Sequence, residues 1–158
     1  MIDTYDRRVQ LDAARHRYKD ARSLQKSERW NGAIYLGGYA IECSLKALIC
    51  YEGCTNNLRE TFLYKGGKRE GVDVPGIQGA GLHNLWALYN SSAVLQRAIG
   101  NDRTGKLKSA WHIITQLWQK DSLRYGRELG HKAECDRFLQ AVEHLYFVIL
   151  RKQGENLE

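Results

Sequence analysis

Two groups of residues in this chain have the types and spacing to do chemistry. The first is the run Leu123-Arg124-Tyr125-Gly126-Arg127-Glu128-Leu129-Gly130-His131, which sets two guanidinium groups and an imidazole around two glycines. An imidazole that titrates near neutrality can take a proton from a ribose 2′-hydroxyl or return one to a leaving oxygen. A guanidinium can grip a phosphate at two points as charge builds on it. The run therefore offers Arg124 and His131 as catalytic candidates, with Tyr125 and Arg127 as RNA- or nucleotide-binding neighbours, and the chemistry is metal-free cleavage of RNA. A histidine at a helix start also serves as a cap or a solvated residue, and the sequence leaves both readings open.

The second group is Glu42 and Lys46, four residues apart on an otherwise apolar stretch, with Tyr35 and Tyr39 on the same stripe. That spacing aligns them on one helix face. One reading is a structural ion pair that fixes register between helices. The other is a groove for a nucleotide or phosphate, with Lys46 as the cation and Glu42 orienting it.

The elements that position these groups are helical. Leu11, Ala14, Tyr18 and Ala21 recur at three- and four-residue spacing and predict an amphipathic helix over about 4–28. A second helix, capped by Asn31, is expected to run to about Tyr51 and is apolar on more than one face, as a central helix must be. A third is expected over 82–98 and 104–119, broken once at Gly100-Asn101-Asp102. The last spans 131–152, with Phe138, Val142, Leu145 and Ile149 at core spacing. Between Gly53 and Gly81 lie seven of the fifteen glycines and the only proline, Pro75, which reads as a surface insertion of flexible-linker type. Four main helices with short links predict one all-α domain, 1–158, an antiparallel four- to five-helix up-down bundle. In it the start of the second helix, the end of the third and the start of the fourth share one end, and the glycine-rich insertion sits at the other.

Composition narrows the function classes. At 158 residues, with 43% hydrophobic and 27% charged residues, the chain fits one domain with a real core. Glu42 and Lys46 interrupt the longest apolar stretch and the amino terminus is charged, so a cytoplasmic protein without a membrane segment is expected. A formal charge of +6 suits polyanionic partners. Cys50 and Cys54, with His131 and Cys135, have ligand-like spacing, but the two pairs fall at opposite ends of long helices, and no metal or cofactor is expected. Gly76, Gly79 and Gly81 do not follow the dinucleotide order. His83 reads as a local cap, and His16, His112 and His144 have no titratable neighbour at a telling spacing.

Three pieces taken together carry a resemblance: Gly38 to Ile49 with its Glu-x-x-Leu-Lys-Ala core, His83-Asn84-Leu85 after the insertion, and Leu123-Arg124-Tyr125 before the last helix. The chain resembles the HEPN (higher eukaryote and prokaryote nucleotide-binding) domain family over nearly its whole length. That resemblance implies an antiparallel helical bundle, a homodimer, and a metal-independent endoribonuclease of a toxin–antitoxin or antiviral defence system. The family's arginine, four to six residues and histidine would map onto Arg124 and His131, leaving a 2′,3′-cyclic phosphate. The alternative it implies is a non-catalytic nucleotide- or partner-binding module that works with a cognate nucleotidyltransferase or an antitoxin.

Overall fold

The computed structural model describes residues 1–120, 123 and 131–156. Asp6 starts helix α1 (Arg7–Lys26) by accepting from the amides of Arg8 and Val9 at 2.8 and 3.1 Å. A three-residue turn, with Glu28 at a φ of 60°, reverses the chain into α2 (Trp30–Glu52). The helix starts two residues earlier than the sequence suggests, with Arg29 at the cap position and Asn31 buried inside the first turn. At 23 residues α2 is the spine of the fold, about 35 Å long at 1.5 Å per residue. By length and composition it could cross a membrane, and 78% of its most apolar window is buried within the fold.

The last helix, α7 (Lys132–Lys152), lies against α2 through Phe138, Leu139, Val142, Leu145 and Ile149. Gly37 permits this approach, since a Cβ there would stand 2.8 Å from Leu139. Arg22–Glu143 and Gln25–Asp136 contacts tie the end of α1 to the first half of α7 and its midpoint.

Two departures from the expected bundle have local causes. The segment 53–81 is built structure, not linker. Asn57 caps a 3₁₀ turn (Leu58–Glu60), Thr61 caps the short α3 (Phe62–Lys65), and β1 (Gly66–Arg69) pairs antiparallel with β2 (Val72–Pro75). The two-residue connection Glu70-Gly71 has φ values of 52° and 78°, the primed turn that suits the twist of a hairpin. Gly66 and Gly76 are glycines because the strand start packs backbone on backbone: a Cβ on Gly76 would fall 2.1 Å from the Tyr64 carbonyl.

The second departure is that the expected third helix is three. Asn84 caps α4 (Leu85–Asn90), Ser92 caps α5 (Ala93–Asn101), and Asp102 organises the loop before α6 (Lys106–Leu117) by accepting from Thr104 and Leu107. Short polar side chains here bond the backbone in place of a continued helix. Glu52, at the end of α2, adds to the break between α4 and α5 by accepting from Ser92 Oγ at 2.6 Å and Val94 N at 2.9 Å. Seven α-helices and an antiparallel hairpin among the described residues therefore replace the all-α, four- to five-helix up-down bundle that the HEPN resemblance implied.

The end of α6 reaches α2 through Trp118, whose Nε1 donates to the Tyr35 carbonyl at 3.0 Å. Gly38 makes room for the indole; a Cβ there would lie 2.1 Å from it. Gly38→Ala is expected to destabilise the fold by about 1–3 kcal/mol through overpacking. Gly100→Ala, where a Cβ meets open space within α5, is expected to be neutral or to stabilise by roughly 0.5–1 kcal/mol. Urea midpoints of the two variants check both, and equal midpoints would refute the packing argument.

Candidate functional site

The centre of the site is the Glu42 carboxylate, 2% exposed and halfway along α2. A carboxylate so far from water needs partners, and it draws two lysines and a histidine from three elements. Lys46, one turn along α2, places Nζ 3.1 Å from Oε2. His83, from the 3₁₀ turn Gly79–His83 that leads into α4, places Nδ1 2.9 Å from the same oxygen. Lys120, just beyond α6, places Nζ 3.4 Å from Oε1 and donates to the His83 carbonyl at 2.6 Å. The lysine Nζ also sits 4.4 Å above the Trp118 ring, whose edge meets Tyr39.

The four side chains divide by exposure. Glu42 and Lys46 are 2% and 7% exposed, whereas Lys120 is 27% and His83 55%. The buried pair orients and the exposed pair faces outward. Among the described residues, two lysines against one carboxylate leave a surplus positive charge, and protonation of His83 adds to it. His83 and Lys120 open on a cleft of about 390 Å³ whose walls include the indoles of Trp86 and Trp118. Tyr35 and Tyr39 continue the polar stripe, their hydroxyls 3.4 Å apart.

Of the residues singled out in the sequence, Glu42 and Lys46 meet here. His131 stands exposed at the cap position of α7 and its side chain makes no cap hydrogen bond. Arg124, Tyr125 and Arg127 lie outside the described residues. His83 and Lys120 are the members that sequence reasoning missed. The helix cap belongs to Asn84, which accepts from Trp86 N at 2.9 Å, and this frees His83 for Glu42. The available signal was Glu42 itself, because a carboxylate on a helix apolar on several faces requires cations from elsewhere in the chain.

Cys43, beside the site on α2, is held up to about 11 by burial and, to a smaller extent, by the Glu42 charge. Burial pushes Cys50 up to about 11 as well. Both thiols are therefore protonated at neutral pH. Cys50 and Cys54 end α2 while His131 and Cys135 begin α7, and no three His, Cys, Asp or Glu side chains gather as metal ligands among the described residues.

Two tests follow from this geometry. Glu42→Gln leaves Lys46 facing no carboxylate and is expected to cost about 3–5 kcal/mol, the usual effect of breaking a buried pair. Adding Lys46→Met should restore part of that loss; strictly additive denaturation energies would argue against coupling. In the second test, an aromatic disulfide reagent at pH 7.5 should titrate one thiol per native chain rapidly, the exposed Cys54, leaving Cys43, Cys50 and Cys135 to react on unfolding. Retention of the fast phase in Cys54→Ser would contradict this.

No family model, curated protein or solved structure matches the chain. The HEPN assignment drawn from Gly38–Ile49, His83–Leu85 and Leu123–Tyr125 is overturned by the seven-helix and hairpin architecture. The helical-bundle, ribonuclease and toxin–antitoxin descriptions that came with it are withdrawn.

Proposed function

We propose that the chain is a nucleotide-binding module that holds a phosphate group at Lys120 and His83 without turning the ligand over. One observation carries this reading: a buried carboxylate fixes two lysines and a histidine from three elements so that Lys120 and His83 line an indole-flanked cleft. Among the described residues Lys120 meets two acceptors, Glu42 and the His83 carbonyl, which leaves a third N–H for an oxyanion. With Nδ1 donating to Glu42, the Nε2 of His83 donates to a second phosphate oxygen in the imidazolium form, in which both ring nitrogens carry protons. Tryptophan faces beside a cation suit a ligand that joins an aromatic ring to an anion.

In this reading Lys46 supports Glu42, as the ion-pair alternative has it, and Lys120 is the cation that meets the phosphate. The other interaction expected from the sequence, with a nucleotidyltransferase or antitoxin, has no feature of this site to carry it.

The test is calorimetry of the full chain with ATP and GTP, together with chromatography of the nucleotide after incubation. Saturable binding with intact nucleotide is expected, weakened about tenfold or more by Lys120→Ala, or roughly 1.4 kcal/mol. Absence of heat up to millimolar nucleotide, or equal affinity in Lys120→Ala, would overturn the proposal.

A further inference from the structure

Most of the basic residues lie away from Glu42, and five of them gather along one groove. Three adjoining hollows form it, of about 590, 940 and 650 Å³, running between α6 and α7, then between α5 and α7, and on to the end of α2. Thr104, Lys106 and His144 line the first and the second, and Val94 and Arg97 line the second and the third. Thr104, Lys106 and Arg97 are exposed, so the hollows meet at the surface. Arg97, Lys106, Arg137, Arg151 and Lys152 stand along the groove, all five exposed. Among the described residues none of them has an ion-pair or side-chain hydrogen-bond partner. Three carboxylates also line the groove, and each is engaged: Glu143 pairs with Arg22, Glu52 accepts from Ser92 and Val94, and Asp102 accepts from Thr104 and Leu107.

The spacing of this charge points to the chemistry of a partner. Arg137, His144 and Arg151 recur at seven-residue intervals on one face of α7, over four turns and about 21 Å. A single phosphate meets one or two of the cations and leaves the others unneutralised, whereas an anion whose charges repeat along a chain neutralises them together and releases their counterions. A rigid duplex or a flat lipid surface meets the rims. A flexible strand follows the floor between helices packed about 8–10 Å apart. Each end of the groove adds an aromatic ring: Phe147, half-buried, in the first hollow, and Tyr51, 46% exposed, in the third, where Arg7 lies 5.3 Å from the ring. Cations that track a backbone, with rings on which bases stack, suit a single strand of nucleic acid better than an acidic peptide.

We propose that this groove binds single-stranded nucleic acid, with phosphates along Arg137, Lys106, Arg97 and Arg151 and a base against Tyr51. It shares no lining residue with the Lys120 cleft, so either site can hold where the other fails.

The experiment is fluorescence anisotropy of the full chain with a labelled oligodeoxythymidylate of about twelve nucleotides, over roughly 50 to 200 mM potassium chloride. The logarithm of the affinity is expected to fall with that of the salt at a slope of about −3.5, from five cations at about −0.7 each. Arg97→Ala combined with Arg151→Ala should weaken binding about tenfold or more and flatten the slope by about 1.4. Lys19→Ala combined with Lys68→Ala removes the same charge from exposed positions outside the groove and should cost less than about threefold. All four side chains are exposed, so both double variants should keep the thermal midpoint of the unmodified protein. Tyr51→Ala should weaken binding and leave the slope unchanged, the mark of a stacked base. No binding at roughly 50 mM salt, equal losses in the two double variants, or displacement by polyglutamate as readily as by unlabelled strand overturns the groove as a nucleic-acid site. Preference for a duplex of the same length overturns the single-stranded assignment.

Discussion

A carboxylate halfway along the central helix is the constraint around which much of this structure is arranged. Removing an ionised group from water is expensive unless opposite charge and hydrogen bonds replace the solvent. Glu42 meets that requirement with one partner from its own helix and two from elements that arrive from elsewhere. The consequence is structural before it is functional. The 3₁₀ turn before α4 must pass over the middle of α2 to deliver His83, and the chain beyond α6 must come close enough to deliver Lys120. Trp118 and Gly38 make the second approach possible, since the indole occupies the space a side chain at Gly38 would take.

The first approach depends on the segment between α2 and α4. It leaves from the C-terminal end of α2 and returns to its middle, so it does not sit at one end of the fold as the up-down topology implied. Its start is fastened to the N-terminus: Asp3 accepts from Asn57 and Arg59, Leu58 N donates to the Tyr5 carbonyl, and Arg59 lies 4.1 Å from the Tyr5 ring. Its end is fastened by Ile77 N donating to the Leu63 carbonyl at 2.8 Å. Between these points the hairpin closes on its own backbone, which sets where Gly79–His83 must run.

How much of this could be read from residues follows from which forces are local. α1, α2 and α7 each bury a stripe of side chains at helical spacing, and that stripe is legible without coordinates. The breaks around α5 arise where Asn84, Ser92 and Asp102 compete with the helix for backbone amides; the Asp102 break was legible beside Gly100 and the Ser92 break was not. The hairpin turn is Glu70-Gly71 instead of a pairing such as Asn-Gly that announces itself, and the glycines around it looked like linker. At the site, Glu42 and Lys46 are neighbours on a helix and were found together. His83 and Lys120 lie 41 and 78 residues from Glu42, distances at which periodicity carries no information. The short pattern that suggested a family reflects the same local physics. Glu-x-x-Leu-Lys-Ala describes a central helix with a buried pair at a four-residue interval, and many architectures can contain one.

The two lysines on Glu42 show how a structural charge cluster can serve a ligand without being dismantled. Lys46 shares a helix with the carboxylate, is almost wholly buried, and has the shorter contact, 3.1 Å against 3.4 Å for Lys120. With His83 also bonded to Oε2, the carboxylate remains compensated when Lys120 turns some of its field toward an incoming anion. Lys120 in turn is held by the His83 carbonyl and the Trp118 ring, so its position does not depend on Glu42 alone. An oxyanion in the cleft thus meets a cation already placed, and the entropic cost of ordering a long flexible side chain is met in folding instead of at binding. On the proposed reading an inner lysine neutralises and an outer lysine recruits, so the two readings of the polar stripe are compatible: a structural ion pair would prepare the neighbouring surface to bind.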